Sequence, residues 1–123
     1  MKNQAQKRTK GEIEAAFTKE IVKFEKEHLG RGPLEARTYL INDMVIVRLR
    51  GVLTPAEEKL IENKEGRALV RDARRQLFET SRPGHARLVN DILGVELVDM
   101  FSDISVDRGE RVIVLIVDAD FGR

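Results

Sequence analysis

Cysteine is absent from the 123-residue chain. Disulfides, thiolate metal ligands and cysteine nucleophiles are thereby excluded together. Aromatic residues make up only 5% of the chain and tryptophan is missing. No apolar run approaches the roughly 18 residues that a membrane-crossing helix needs. The opening Met1-Lys2-Asn3-Gln4-Ala5-Gln6-Lys7 has no apolar centre of a signal peptide. A cytoplasmic protein without membrane insertion is expected. Catalytic groupings are also wanting. His28 and His85 are the only histidines, and they form no His-x-x-x-His pair on a helix that would hold zinc. Ser81, Ser102 and Ser105 stand in no nucleophile-elbow pattern. Asp99, Asp103 and Asp107 are spaced by four, which on a strand is about 13 Å, too far for one metal or an acid/base pair. No catalytic residue, metal site or cofactor is expected.

Charge, by contrast, is abundant. Charged residues are 35% and hydrophobic ones 41%, with a net charge of +1, the profile of one globular domain with a heavily charged surface. Residues 65–87 hold Arg67, Arg71, Arg74, Arg75, Arg82 and Arg87 against three acids, whereas residues 94–123 are acidic. Pairing of the two regions, within or between subunits, is the favoured reading over anion binding. Nucleic acid is not an expected partner: no binding signature is visible, and a pI near 8.1 is below the usual range for such domains.

Along the chain, residues 1–9 are polar and basic and read as a frayed extension preceding one domain over residues 10–123. Ile13, Phe17, Ile21, Phe24 and His28 recur at spacings of three and four, one stripe of a helix over residues 10–29. Gly30 ends it in a left-handed conformation, and Pro33 blocks continuation. Residues 35–41 and 44–50 read as strands joined by Asn42-Asp43, a pair that tolerates a tight hairpin turn. Thr54, Pro55 and Glu57 form a capping box with proline at the first helical position. The helix it starts runs to about residue 63 and breaks near Gly66. Next comes a long helix, bent at Pro83, whose buried stripe is Leu69, Val70, Ala73 and Leu77. Residues 95–106 and 111–117 form a second hairpin. The order α-β-β-α-α-β-β, with strands in adjacent pairs, predicts an α+β two-layer sandwich: a mostly antiparallel sheet with helices on one face.

The Gly30-Arg31-Gly32-Pro33 segment, the following Leu53-Thr54-Pro55-Ala56-Glu57-Glu58, Arg37, Arg74 and the late Gly94-Val95-Glu96 junction resemble the MpsC-like family, over roughly residues 10–118. That resemblance implies an accessory component of a sodium-linked, membrane-potential-generating system, peripheral and protein-mediated because the chain shows no span.

Two surfaces follow as expectations. Gly30, Arg31, Gly32 and Arg37, with Arg74, are the candidate anion site, since glycines bare backbone donors and a guanidinium makes forked contacts. In the last strand both alternating sets, Val112, Val114, Ile116 and Ile113, Leu115, Val117, are apolar, so both sheet faces require cover. A homodimer is expected, with Ile113, Leu115, Val117 and the arginine-flanked Phe78 as its interface. The function expected is a non-enzymatic accessory protein acting by self-association and partner contact. The alternative is a regulatory module for a small anion or nucleotide.

Overall fold

The computed structural model describes residues 8–123, and the expectation for the N-terminal extension lies outside that range for residues 1–7. Helix α1 spans Lys10–Leu29, as its periodicity predicts. Thr9 starts it: the Thr9 hydroxyl accepts from the Glu12 N–H, and Glu12 accepts from the Thr9 N–H. Gly30, at φ 81°, ends it, a conformation that a side chain would strain. Strands β1 (Glu35–Ile41) and β2 (Met44–Arg50) keep their predicted limits, and Asn42 supplies the positive φ of the turn.

The capping box also forms. The Glu57 N–H donates to the Thr54 hydroxyl, and the Thr54 N–H donates to the Glu57 carboxylate, opening the short helix α2 (Pro55–Leu60). Chain direction then changes at residues 61–63, before Gly66 rather than at it, and Asn63 caps α3 (Lys64–Thr80). Gly66 has a different duty: a Cβ there would overlap the Leu60 carbonyl, so α2 and α3 can meet only at a residue without a side chain. The long helix expected over residues 66–93 is three pieces instead: α3, α4 (Arg82–Leu88) and a π-helical turn (Val89–Leu93) that ends at left-handed Gly94. The break falls at Ser81, leaving Pro83 in the first turn of α4, where its missing N–H costs no hydrogen bond.

Strands β3 (Leu97–Ser105) and β4 (Glu110–Val117) complete an antiparallel sheet in the order β1-β2-β4-β3, with an irregularity between Leu97 and Asp99. The fold is the expected α+β sandwich. Phe17 and Ile21 of α1, with Val70 and Phe78 of α3, bury with Val45, Val47, Leu49, Ile113, Leu115 and Val117 from the sheet. Each such aliphatic side chain contributes about 1.5–3 kcal/mol when fully buried.

The stripe of α3 is rotated from its predicted position. Gly66, Val70, Arg74 and Phe78 are buried, whereas Leu69 and Leu77 are 57% and 41% exposed. Arg74 explains the rotation. Its Nε and Nη2 donate to both Glu57 oxygens at 2.8 and 2.7 Å, and Nη2 also donates to the Val52 carbonyl at 2.6 Å. A guanidinium so satisfied can lie inside.

Candidate functional site

Three places carry concentrated charge or exposed apolar surface. The first is the proposed anion site, whose members the fold separates. Arg31 donates to the Leu53 carbonyl at 2.8 Å and lines a shallow recess with Gly51, Leu53 and Arg108. Arg37 lies on the far side of the sheet, its guanidinium 5.6 Å from the Tyr39 ring centre, in a different recess with Glu35, Arg48 and Arg50. Arg74 is buried against Glu57. Gly30 is the helix stop, and Gly32 packs near Val22 and Lys26. These residues do not converge, because the left-handed turn at Gly30 leads into a strand whose odd-numbered side chains face away from the helices.

The second place is a groove of about 280 Å³ between α3 and β3, lined by Arg71, Arg74, Arg75, Phe78, Ser102, Asp103 and Arg111 among others. Arg111 was not among the residues singled out from sequence. Its Nη1 donates to Glu25 at 2.7 Å and its Nε to the Ser102 hydroxyl at 3.0 Å, while its guanidinium sits 5.2 Å from the Phe78 ring centre. Both partners of the Arg111 and Glu25 pair have side chains only 4% exposed. Burial pushes the Arg111 guanidinium down from its ordinary value, and the Glu25 carboxylate opposes that push. The signal was there to find: Glu25 follows Phe17 and Ile21 on one stripe of α1, and Arg111 shares the parity of Ile113, Leu115 and Val117. Nearby His85 is wholly buried, with Nδ1 3.0 Å from the Ser81 carbonyl and Phe24 and Phe78 against its ring. Burial holds its pKa down at about 4, against the favourable Ser81 contact. The groove is electrically near balance, since Arg74, Arg111 and Arg75 answer Glu57, Glu25 and Asp72. Only Arg71 among its arginines has no carboxylate partner among the described residues.

The third place is the sheet face that no helix covers. Strand pairing sets Tyr39, Ile46, Val114 and Phe101 opposite one another in a single row across all four strands. Tyr39 is 41% and Phe101 54% exposed. One row toward the Glu110 end lie Arg37, Arg48, Val112 and Asp103; one row the other way lie Ile41, Met44, Ile116 and Asp99. Glu110 gathers Arg48, Arg50 and Arg108 around it, and Arg48 in particular holds its carboxyl below the usual range. The interface residues expected from sequence lie elsewhere. Ile113, Leu115 and Val117 face the helices, Phe78 of α3 points inward, and all four are buried within the chain, so the surface available to a partner is the alternate set, Val112, Val114 and Ile116, with Tyr39 and Phe101.

Each edge of this sheet is occupied in part. At β1, the Leu40 N–H donates to Glu14 of α1 at 2.7 Å, and Thr18 donates to the Thr38 hydroxyl. At β3, the Met100 and Ile104 N–H groups donate to the carboxylates of Asp99 and Asp103, each at 2.8 Å, and Arg82 donates to the Val98 carbonyl. An N–H has one hydrogen, so these groups are closed to strand addition. Among the described residues no cluster of three or more His, Asp or Glu is placed to hold a metal ion, and no helix is long and apolar enough to cross a membrane.

Residues 9–119 match the family described as "Na+-translocating membrane potential-generating system (MpsC)". The chain is similar to the uncharacterized protein YbcI of Bacillus subtilis (strain 168), 38% identical over 108 residues covering 88% of this chain and 87% of YbcI. It is also similar to the uncharacterized protein YrhF of the same organism, 30% identical over 103 residues, 83% and 84% of the two chains. No solved structure matches it. The family match spans the helices, the capping box and all four strands, and the chain belongs to the MpsC family.

Proposed function

We propose that the chain is a non-enzymatic, cytoplasmic accessory protein of the membrane-potential-generating system that its family description names, working by protein contact through the open face of its sheet. One observation carries the reading: the row Tyr39, Ile46, Val114, Phe101 lies on a face without helices, and apolar surface left in a contiguous row is what a protein partner covers. The buried charges are bound to one another and read as structural. The experiment is complementation. In cells lacking the gene, the wild-type protein restores a sodium-dependent membrane potential read with a voltage-sensitive dye, and Arg71→Ala restores it equally. Val114→Asp, present at the same level and folded, does not. Full restoration by Val114→Asp overturns the contact surface, and the lack of any sodium-dependent effect of the wild-type protein overturns the system.

The groove supports a second reading, a regulatory module for a small anion or nucleotide, because Arg71 and Phe78 there offer a cation and an aromatic wall. Its near-balanced charge ranks it below the first. A saturable rise in melting temperature with phosphate, bicarbonate or a nucleotide, abolished by Arg71→Ala, is the result that would promote it.

A further inference from the structure

We propose that the occupant of the open face is a second copy of this chain, docked face to face about a two-fold axis that runs parallel to the strands, between β2 and β4. The inference rests on the contact-surface reading above and adds its partner and geometry.

The argument is one of charge placement. On the open face Arg37 has no carboxylate partner and Asp103 no cationic partner among the described residues. The two stand in the same row at opposite edges, Arg37 on β1 and Asp103 on β3. One Asp103 oxygen accepts from the Ile104 N–H, which leaves the other free to accept from a guanidinium. A two-fold axis along the strands keeps each row at its level and reverses strand order. Arg37 then meets Asp103 of the partner subunit, and Asp103 meets the partner's Arg37. The same operation sets Tyr39 against the partner's Phe101 and Ile46 against the partner's Val114, so the apolar row is covered by itself. The other in-plane axis, across the strands, lays each strand on its own copy. It reverses the rows about Tyr39, and Asp103 then falls on Asp99 of the partner subunit, a like-charge pair that costs affinity. Twist of each sheet rotates the stack by about 30°, a displacement that an arginine side chain spans.

Size sets the strength. Four strands about 4.8 Å apart and some seven residues long present on the order of 400 Å² per subunit, below the range of permanent dimers. Association should be reversible and micromolar. Edge contacts point the same way: the Leu40, Met100 and Ile104 N–H groups are already engaged, so strand addition at β1 or β3 competes with existing hydrogen bonds, whereas the apolar row of the face is exposed at Tyr39 and Phe101.

Sedimentation velocity from about 1 to 200 µM tests both halves of the proposal. The wild-type protein should pass from 14.0 kDa toward twice that mass, and Val114→Asp should stay at the lower mass. Arg37→Glu alone and Asp103→Arg alone should each weaken association at least tenfold, because each change sets like charges together twice per dimer. An equimolar mixture of those two variants should recover the wild-type affinity to within about threefold, since every mixed contact is again of opposite charge. A wild-type protein that remains monomeric through 200 µM overturns the second copy and leaves the contact surface to a different protein. Dimers broken by Val114→Asp but not recovered by the mixture overturn the two-fold axis alone.

Discussion

Ile113, Leu115 and Val117 lie on the helix side of β4, and Val112, Val114 and Ile116 on the other. The two sets have nearly the same volume and hydropathy. Yet the first three are 0–3% exposed, whereas Val112 is 36% exposed. The difference comes from where the helices pack: α1, which precedes β1, and the α2 to α4 connection between the two hairpins lie over the same side of the sheet. An apolar side chain is therefore interior or interfacial according to its parity in the strand. Arg111 makes the same point from the polar side. Its parity places it inside, and Glu25 has to be there to receive it.

The comparison breaks first at its charged members. Glu25→Ala should destabilise the protein by about 3–5 kcal/mol, since it leaves Arg111 buried and unpaired. Chemical denaturation measures this, and a loss under about 1 kcal/mol would show that water reaches the guanidinium. Leu115→Ala should cost about 3 kcal/mol through the cavity it leaves, whereas Val114→Ala on the open face should cost less than about 1 kcal/mol in the monomer. Equal losses would erase the distinction between the two faces.

His85 extends the comparison to pH. Its folded pKa of about 4 is below the unfolded value near 6.5, so the unfolded chain binds the proton more readily. The stability is fully present above about pH 6.5 and is lost as pH falls toward 4, by up to about 3 kcal/mol. Phe24, Phe78 and Ser81 touch the ring, and Arg111 and His28 add to the depression. His85→Gln should flatten that window of the stability profile, with Glu57 still contributing below it because Arg74 and the Thr54 N–H outweigh burial and lower its carboxyl. Thr54→Ala should cost about 1 kcal/mol from a lost cap, with self-association at 25 °C unchanged.

Legibility followed the range of the interactions. The limits of α1, β1 and β2, the turn at Asn42 and the Thr54 capping box are written in residues at most four apart, and local chemistry decides them. Residues of α3 could not be placed that way. Its rotation depends on Arg74 reaching Glu57, 17 residues back, and a pattern that scores arginine as surface turns Leu69 and Leu77 inward. Likewise Arg31 and Arg37 are near in sequence, yet strand parity sends them to different sides of the molecule. The apolar character of both sets in β4 was plain, but which set meets the helices depends on where distant helices pack. Phe78 looked like a partner contact because arginines flank it; in the fold it is the surface on which Arg111 rests.

The carboxylates along β1 and β3 have a consequence for growth. A sheet that ends in open N–H groups can add strand after strand without limit, which is how filaments begin. Here Glu14, Asp99 and Asp103 hold the Leu40, Met100 and Ile104 N–H groups and so obstruct that lateral route. Under the face-to-face proposal association closes on itself instead, so crowding in a cell would enrich a complex of fixed size rather than seed a fibre.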